Sequence, residues 1–135
     1  MIKGVQLIEL PKIKDPRGNL SFFENSNQIP FDIKRTYWIY DVPGGEVRGG
    51  HAFKKSHELI VALSGSFNVV LNDGKNEVVY NLNRSFNGLY VPNLIWRSLD
   101  NFSTNSLALI VSNIKYNSQD YIRNFKEFKI LKDEK

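Results

Sequence analysis

At 135 residues the chain is long enough for one domain with a proper core and too short for two. A hydrophobic fraction of 41%, with nine Phe, six Tyr and two Trp, excludes a disordered polymer, and the absence of cysteine excludes disulfides, thiolate zinc sites and a cysteine nucleophile together. The net charge of +4 gathers partly in the C-terminal "KEFKILKDEK", a solvated helix end rather than a groove-binding stripe, so no nucleic-acid partner is expected and an anionic small molecule explains the charge as cheaply.

Along the chain, the opening "MIKGVQLIELPKIKD" lacks the long apolar core of a signal peptide, and no apolar run reaches the roughly 20 residues of a membrane span, so a cytoplasmic location is expected. Short β-branched or aromatic runs then follow one another: "LSFFE", "RTYWIYDV", "ELIVALSGSFNVVLNDG", "EVVYNL", "GLYVP", "IWRSLD" and "LALIVS". Gly, Asn, Asp and Pro separate them at the spacing of an antiparallel sandwich or barrel. Asn72-Asp73-Gly74 is a hairpin signal, because these residues tolerate the positive φ that tight hairpins require. Only the end reads as helix: "SQDYIRNFKEFKI" starts at a plausible Ser118 cap, with Tyr121, Ile122, Phe125 and Phe128 at helical spacing. The expected architecture is a single all-β barrel over residues 1–135, closed by a short C-terminal helix.

The stretch "RGGHAFKKSHE" carries the chemistry. Gly45, His51, Phe53, Glu58 and Gly65 have the spacing of the first cupin motif, with Phe53 where a second histidine would stand. Residues 51 and 53 alternate to one face of a strand, so both side chains point into the barrel, and Glu58 re-enters on the next strand. A fainter second motif runs through Gly88 and Pro92 and places Arg97 at the third histidine position. A metal of this kind needs about three nitrogen or carboxylate ligands on one ion. Phe53 offers none and the always-protonated Arg97 cannot ligate, so no metal and no cofactor are expected.

What remains is a lone imidazole, His51, suited to proton transfer near neutrality, beside the Tyr37 phenol. Arg17, Arg48 and Arg97 are guanidiniums of the kind that grip phosphate oxygens in pairs. A base beside a phenol and phosphate clamps suits proton abstraction next to a carbonyl in a phosphorylated ligand. An inward Arg97 needs a partner, either ligand phosphate or Glu58, and Glu58 is itself expected among the substrate-binding residues with Arg17, Arg48 and Arg97. Simpler roles stand beside these: Tyr37 as a core tyrosine, Arg17 as the exposed charge of a turn after Asp15-Pro16, and Phe53 as filler of ligand space. Trp38 and Tyr40 alternate against Tyr37 and Ile39, which assigns them to the other sheet face or to a dimer contact.

"DPRGNLSFFE", "IPFDIKRTYWIYDVPGGEVRGGHAFKK", "LSGSFNVVLNDG", "GLYVPNLIWRSLDNFS" and "DYIRNF" together resemble the sugar 3,4-ketoisomerase family of cupins, over about residues 8 to 128. The resemblance implies a cupin jelly-roll homodimer with exchanged N-terminal strands, no metal, and a dTDP-sugar bound inside the barrel. It also implies that dTDP-4-keto-6-deoxyglucose becomes its 3-keto isomer in deoxysugar synthesis. His51 is then the catalytic base, with Tyr37, Arg17 and Arg97 near the sugar and Arg48 near the phosphates. The family usually reads His-X-His, and Phe53 removes the second proton carrier. Two replacements are open: the Tyr37 hydroxyl, whose anion the adjoining arginines are expected to favour, and His57, four residues beyond Phe53. A sugar-nucleotide epimerase and a non-catalytic nucleotide-sugar-binding cupin remain as alternatives.

Overall fold

A computed structural model describes residues Met1–Lys135. Strands β1 (Gln6–Glu9), β2 (Lys12–Ile13), β3 (Leu20–Ser21), β4 (Arg35–Tyr40), β5 (Arg48–Phe53) and β6 (Glu58–Ser64) lead into β7 (Phe67–Asn72), β8 (Glu77–Leu82), β9 (Asn87–Val91), β10 (Trp96–Asp100) and β11 (Leu107–Ser112). A short strand β12 (Tyr121–Ile122) and one helix, α1 (Phe125–Asp133), complete the chain. Two five-stranded antiparallel sheets, ordered β1-β9-β6-β11-β4 and β12-β5-β10-β7-β8, face each other, and β2 pairs with β3 as a separate hairpin. This is the antiparallel barrel expected from the alternating strands, and the jelly roll that the resemblance implies.

Period-two alternation sorts each strand. On β4, Ile39 points into the barrel and is buried, whereas Trp38 and Tyr40 face out at 57% and 61% exposure. The interior core takes Ile60, Ala62, Leu89 and Ile110 from the first sheet and Phe67, Val69, Leu71 and Leu99 from the second. The first sheet is apolar on its back as well. Leu59, Val61 and Val111 pack there beneath Leu10, Ile29 and Phe31, which the long segment before β4 folds across it. β7 and β8 form the expected hairpin, with the backbone N–H groups of Lys75 and Asn76 both donating to Asp73 Oδ1.

The C-terminal segment departs from the helical reading of residues 118–130. Ser118–Asp120 is a single 3-10 turn capped by Asn117, Tyr121–Ile122 pairs antiparallel with Phe53 and Ala52 of β5, and the helix starts only after Asn124. The Asn124 side chain accepts from the Glu127 N–H, a cap that outcompetes Ser118 because β5 has an open edge to satisfy. The helix then covers the outer face of the second sheet, with Phe128 fully buried against Ala52 and Ile122. No helix is long and apolar enough to cross a membrane.

Candidate active site

One end of the barrel interior is polar. Tyr37 on β4, His51 and Phe53 on β5, Glu58 at the start of β6 and Arg97 on β10 all point inward there, and Arg97 lies opposite His51 in the ladder. Arg97 is 1% exposed. Its Nε donates to Glu58 Oε1 at 2.6 Å, its Nη2 donates to the Tyr37 hydroxyl oxygen at 2.8 Å, and the Tyr37 hydroxyl donates to Glu58 Oε2. The guanidinium, carboxylate and phenol thus close a ring of hydrogen bonds, the arrangement a buried ion pair needs. Two buried side-chain atoms are left without a partner: His51 Nε2 and Arg97 Nη1.

The electrostatics follow from this burial. Desolvation, reinforced by the positive charges of Arg97, Arg123 and Arg35, holds the His51 imidazole down to about 3, so it is a neutral base at neutral pH. The expectation for Tyr37 is corrected. Burial pushes its hydroxyl up, Glu58 adds to that rise, and Arg97 opposes it without offsetting it, so the phenol stays protonated. Burial works against the Arg97 charge too, but Glu58 and Tyr37 outweigh it and keep the guanidinium firmly protonated.

A cavity of about 380 Å³ opens beside this network, lined by Tyr37, Arg48, Gly49, His51 and Arg97. Arg48 joins His51 on one face although they stand an odd three positions apart, because β5 bulges: Arg97 pairs with His51, but Leu99 two residues on pairs with Arg48. The cavity lining also includes three polar side chains that the sequence did not single out: Arg35, Tyr121 and Arg123. Arg35 lies 4.3 Å over the Tyr37 ring and donates to the Tyr121 hydroxyl at 2.9 Å, while Arg123 lies 4.4 Å over the Tyr121 ring. Arg35 stands two before Tyr37, so strand alternation alone could have found it. Tyr121 and Arg123 were hidden by the helical reading, which scatters them around an axis instead of alternating them to one face. Phe53 fills the position between strands and tail: its ring meets His51 at 4.8 Å and Tyr121 at 4.7 Å.

Other candidates fall elsewhere. Glu58 does not line the cavity; both its oxygens are spent on Tyr37 and Arg97, so it holds side chains rather than ligand. Arg17 sits on the exposed β2–β3 turn, its Nε 2.9 Å from Asp15 Oδ1, and the same chain does not bring it to the barrel. His57 points to the outer face, where Nδ1 is 2.6 Å from the Tyr90 hydroxyl, which removes it as the replacement proton carrier. The donor set fits no metal. Phe53 and Arg97 cannot ligate, the Glu58 oxygens are engaged, and no three His, Cys, Asp or Glu side chains gather anywhere in the chain.

Comparison with known proteins follows the same line. The family model FdtA (WxcM-like, C-terminal) matches residues 3–133. TDP-4-oxo-6-deoxy-alpha-D-glucose-3,4-oxoisomerase of Aneurinibacillus thermoaerophilus is 39% identical over 124 residues, 92% of this chain and 89% of that one. A histidine-to-asparagine mutant of the 3,4-ketoisomerase QdtA of Thermoanaerobacterium thermosaccharolyticum, in complex with TDP-4-keto-6-deoxyglucose, superposes with a TM-score of 0.98 at 33% identity, over 100% of this chain and 98% of that one. The WlaRB TDP-quinovose 3,4-ketoisomerase of Campylobacter jejuni gives 0.91 at 40% identity, over 96% and 99%.

Proposed function

This chain belongs to the FdtA family, and on that premise we propose that it is a nucleotide-sugar 3,4-ketoisomerase that moves the ketone of dTDP-4-keto-6-deoxyglucose from carbon 4 to carbon 3. The observation that carries the reading is the placing of a buried, unpartnered His51 Nε2 beside the hydrogen-bonded Tyr37–Glu58–Arg97 network at one cavity. Arg35, Arg48 and Arg123, none of them paired with a carboxylate, give that cavity the positive field a nucleoside diphosphate requires. Relatives named for TDP-sugars support the ligand class.

In this mechanism His51 Nε2 takes the carbon-3 proton, the C–H electrons form the C3–C4 double bond, and the carbonyl π pair moves onto the carbon-4 oxygen. The imidazolium returns its proton to carbon 4. The hydroxyl proton must meanwhile pass from the carbon-3 oxygen to the carbon-4 oxygen. Phe53 cannot carry it and His57 faces away, so Tyr37 is the carrier. Its oxygen accepts the substrate proton while its own proton moves to Glu58 Oε2, and the return steps run in reverse toward the other oxygen. No tyrosinate forms, in accord with the raised Tyr37 pKa.

Completion of the site by a second copy fits two exposed apolar surfaces. Ile13 and Leu20 on the hairpin, and Trp38, Tyr40 and Leu63 together on the back of the first sheet, lie in the open, apolar surface of the kind a second copy covers. A homodimer exchanging N-terminal strands covers them and carries Arg17 toward the partner's cavity.

Phe53 also favours a second reading, a nucleotide-sugar-binding cupin without catalysis. Incubation with dTDP-4-keto-6-deoxyglucose in heavy water, followed by NMR, separates the two. The wild type is expected to exchange deuterium at carbon 3 and to yield the 3-keto isomer. His51→Asn is expected to abolish exchange, whereas Tyr37→Phe keeps exchange measurable and slows product formation by about 10²-fold or more. Binding without any exchange in the wild type establishes the binding module; exchange with return of proton to the same carbon establishes an epimerase.

A further inference from the structure

The Arg48-Gly49-Gly50-His51 segment does more than carry two functional side chains. Gly49 has φ +75°, in the left-handed region, and sits in the one-residue bulge of β5, between the His51–Arg97 and Arg48–Leu99 pairs. A Cβ on Gly49 would lie 2.5 Å from Arg97 Nη1 and 3.7 Å from His51 Cε1. The far end of an arginine ordinarily gives way to such an intruder. Here it is pinned: Nε and Nη2 are committed to Glu58 and Tyr37, so the guanidinium cannot retreat without opening that ring of hydrogen bonds. The missing side chain therefore lets the guanidinium lie against the β5 backbone beside the His51 ring. The only two buried side-chain polar atoms without partners, Nη1 of Arg97 and Nε2 of His51, belong to these two neighbours.

We infer that Gly49 is a positioning residue that makes one reacting site out of these two orphaned atoms, with Arg97 Nη1 holding the ligand's carbonyl oxygen while His51 Nε2 meets the adjacent C–H. The inference rests on the ketoisomerase reading for the identity of the ligand. The chemistry of the atoms supports the division of labour: a guanidinium N–H donates and never accepts, and a neutral imidazole nitrogen accepts a proton. Charge that develops on the carbonyl oxygen as the proton leaves is met by a donor already in place, which costs no rearrangement at that moment. Tyr37, whose proton already points at Glu58, is left free for the hydroxyl proton alone.

The test compares wild type, Gly49→Ala and Gly45→Ala. Gly45, in the β4–β5 loop, has φ +86°, and a Cβ there would meet nothing within 4 Å, so its alanine variant imposes backbone strain without intrusion. Thermal unfolding, calorimetric affinity for TDP and for dTDP-4-keto-6-deoxyglucose, and deuterium exchange at carbon 3 are measured on each. Both variants are expected to lose some thermal stability and to keep the wild-type affinity for TDP. Only Gly49→Ala is expected to lose the extra affinity that the keto-sugar adds over TDP and to lower kcat for exchange by about 10²-fold or more, the scale of removing one oxyanion donor. A Gly49→Ala protein that exchanges at the wild-type rate overturns the inference, and so does one that loses TDP affinity in step with rate, because Arg48 would then be the group displaced. Should the wild type itself exchange nothing, it is the ketoisomerase reading that fails, and the keto-sugar-against-TDP affinity still decides the role of Gly49. If Gly49→Ala does not fold, Gly49→Asn replaces it, since asparagine enters the left-handed region more readily and still intrudes on Arg97.

Discussion

Burial holds the His51 imidazole neutral far below its ordinary range, and this has consequences for pH. Its imidazole titrates at about 3 in the folded chain against 6.5 when exposed. Above about pH 6.5 it is neutral in both folded and unfolded states and contributes nothing to the pH dependence. As pH falls below that value the unfolded chain takes up the proton first, so stability is withdrawn progressively until the folded imidazole also protonates near 3. His51→Asn is therefore expected to gain in melting temperature relative to the wild type as pH is lowered from neutrality. For activity, kcat/KM reports the free enzyme, and its acid limb should show no His51 inflection between about pH 5 and pH 8. A kcat/KM profile that falls with an apparent pKa near 6.5, and loses that fall on no other substitution, contradicts the buried-base assignment. The same residue-level chemistry governs metals. With Phe53 and Arg97 at ligand positions, elemental analysis of the purified protein is expected to find no stoichiometric zinc, iron or manganese, and chelators should leave its melting temperature unchanged. About one such metal per chain would sink this.

Among the elements, the tail after β11 has the largest effect on the site for its size. β12 adds two residues to the edge of β5 and in doing so sets Tyr121 against His51 at 4.9 Å. Just before it, the buried Asp120 carboxylate accepts the Lys55 N–H at 2.7 Å, the Ser56 N–H at 3.2 Å and the Ser56 hydroxyl. The loop so held runs directly into Glu58, the residue that pins Arg97 and Tyr37. Asp120→Ala leaves the two Ser56 donors buried and unmatched, a cost of about 2 kcal/mol or more. It is expected to lower the melting temperature and, at temperatures where the variant remains folded, to slow isomerisation more than it weakens TDP binding, because the Glu58 network is loosened while the outer arginines stay. A variant with wild-type stability would show that backbone pairing by β12 holds the tail without the carboxylate.

At the scale of the whole molecule, one chain leaves two apolar areas in the open. The outer face of β4 and β11 carries Trp38 and Tyr40 in the open, and the β2–β3 hairpin carries Arg17 with exposed Ile13 and Leu20 apart from the barrel's cavity. Light scattering at micromolar concentration is expected to give a dimer mass, and Trp38→Glu, which places a charge in the centre of the apolar face, should shift it toward the monomer. A clean monomer mass for the wild type would remove both the dimer and the route by which Arg17 reaches a ligand.

The all-β class, the β7–β8 hairpin, and the inward set Tyr37, His51, Phe53, Glu58 and Arg97 were legible in the sequence, because each depends on period-two alternation within one strand or on turn chemistry between neighbours. The resemblance to ketoisomerases was legible for the related reason that short motifs keep their order along the chain. Tertiary structure decided what depends on residues far apart in sequence. Residues 118–122 became turn and strand instead of helix because β5 offered them an unpaired edge. Arg35, Tyr121 and Arg123 entered the cavity only once that pairing was made. Glu58 turned from ligand contact to clamp, and Tyr37 kept its proton instead of losing it, because both lie in a closed network where burial and a neighbouring carboxylate outweigh a nearby guanidinium. Strand alternation tells which way a side chain points; only the assembled barrel settles what it meets and how much water is left around it.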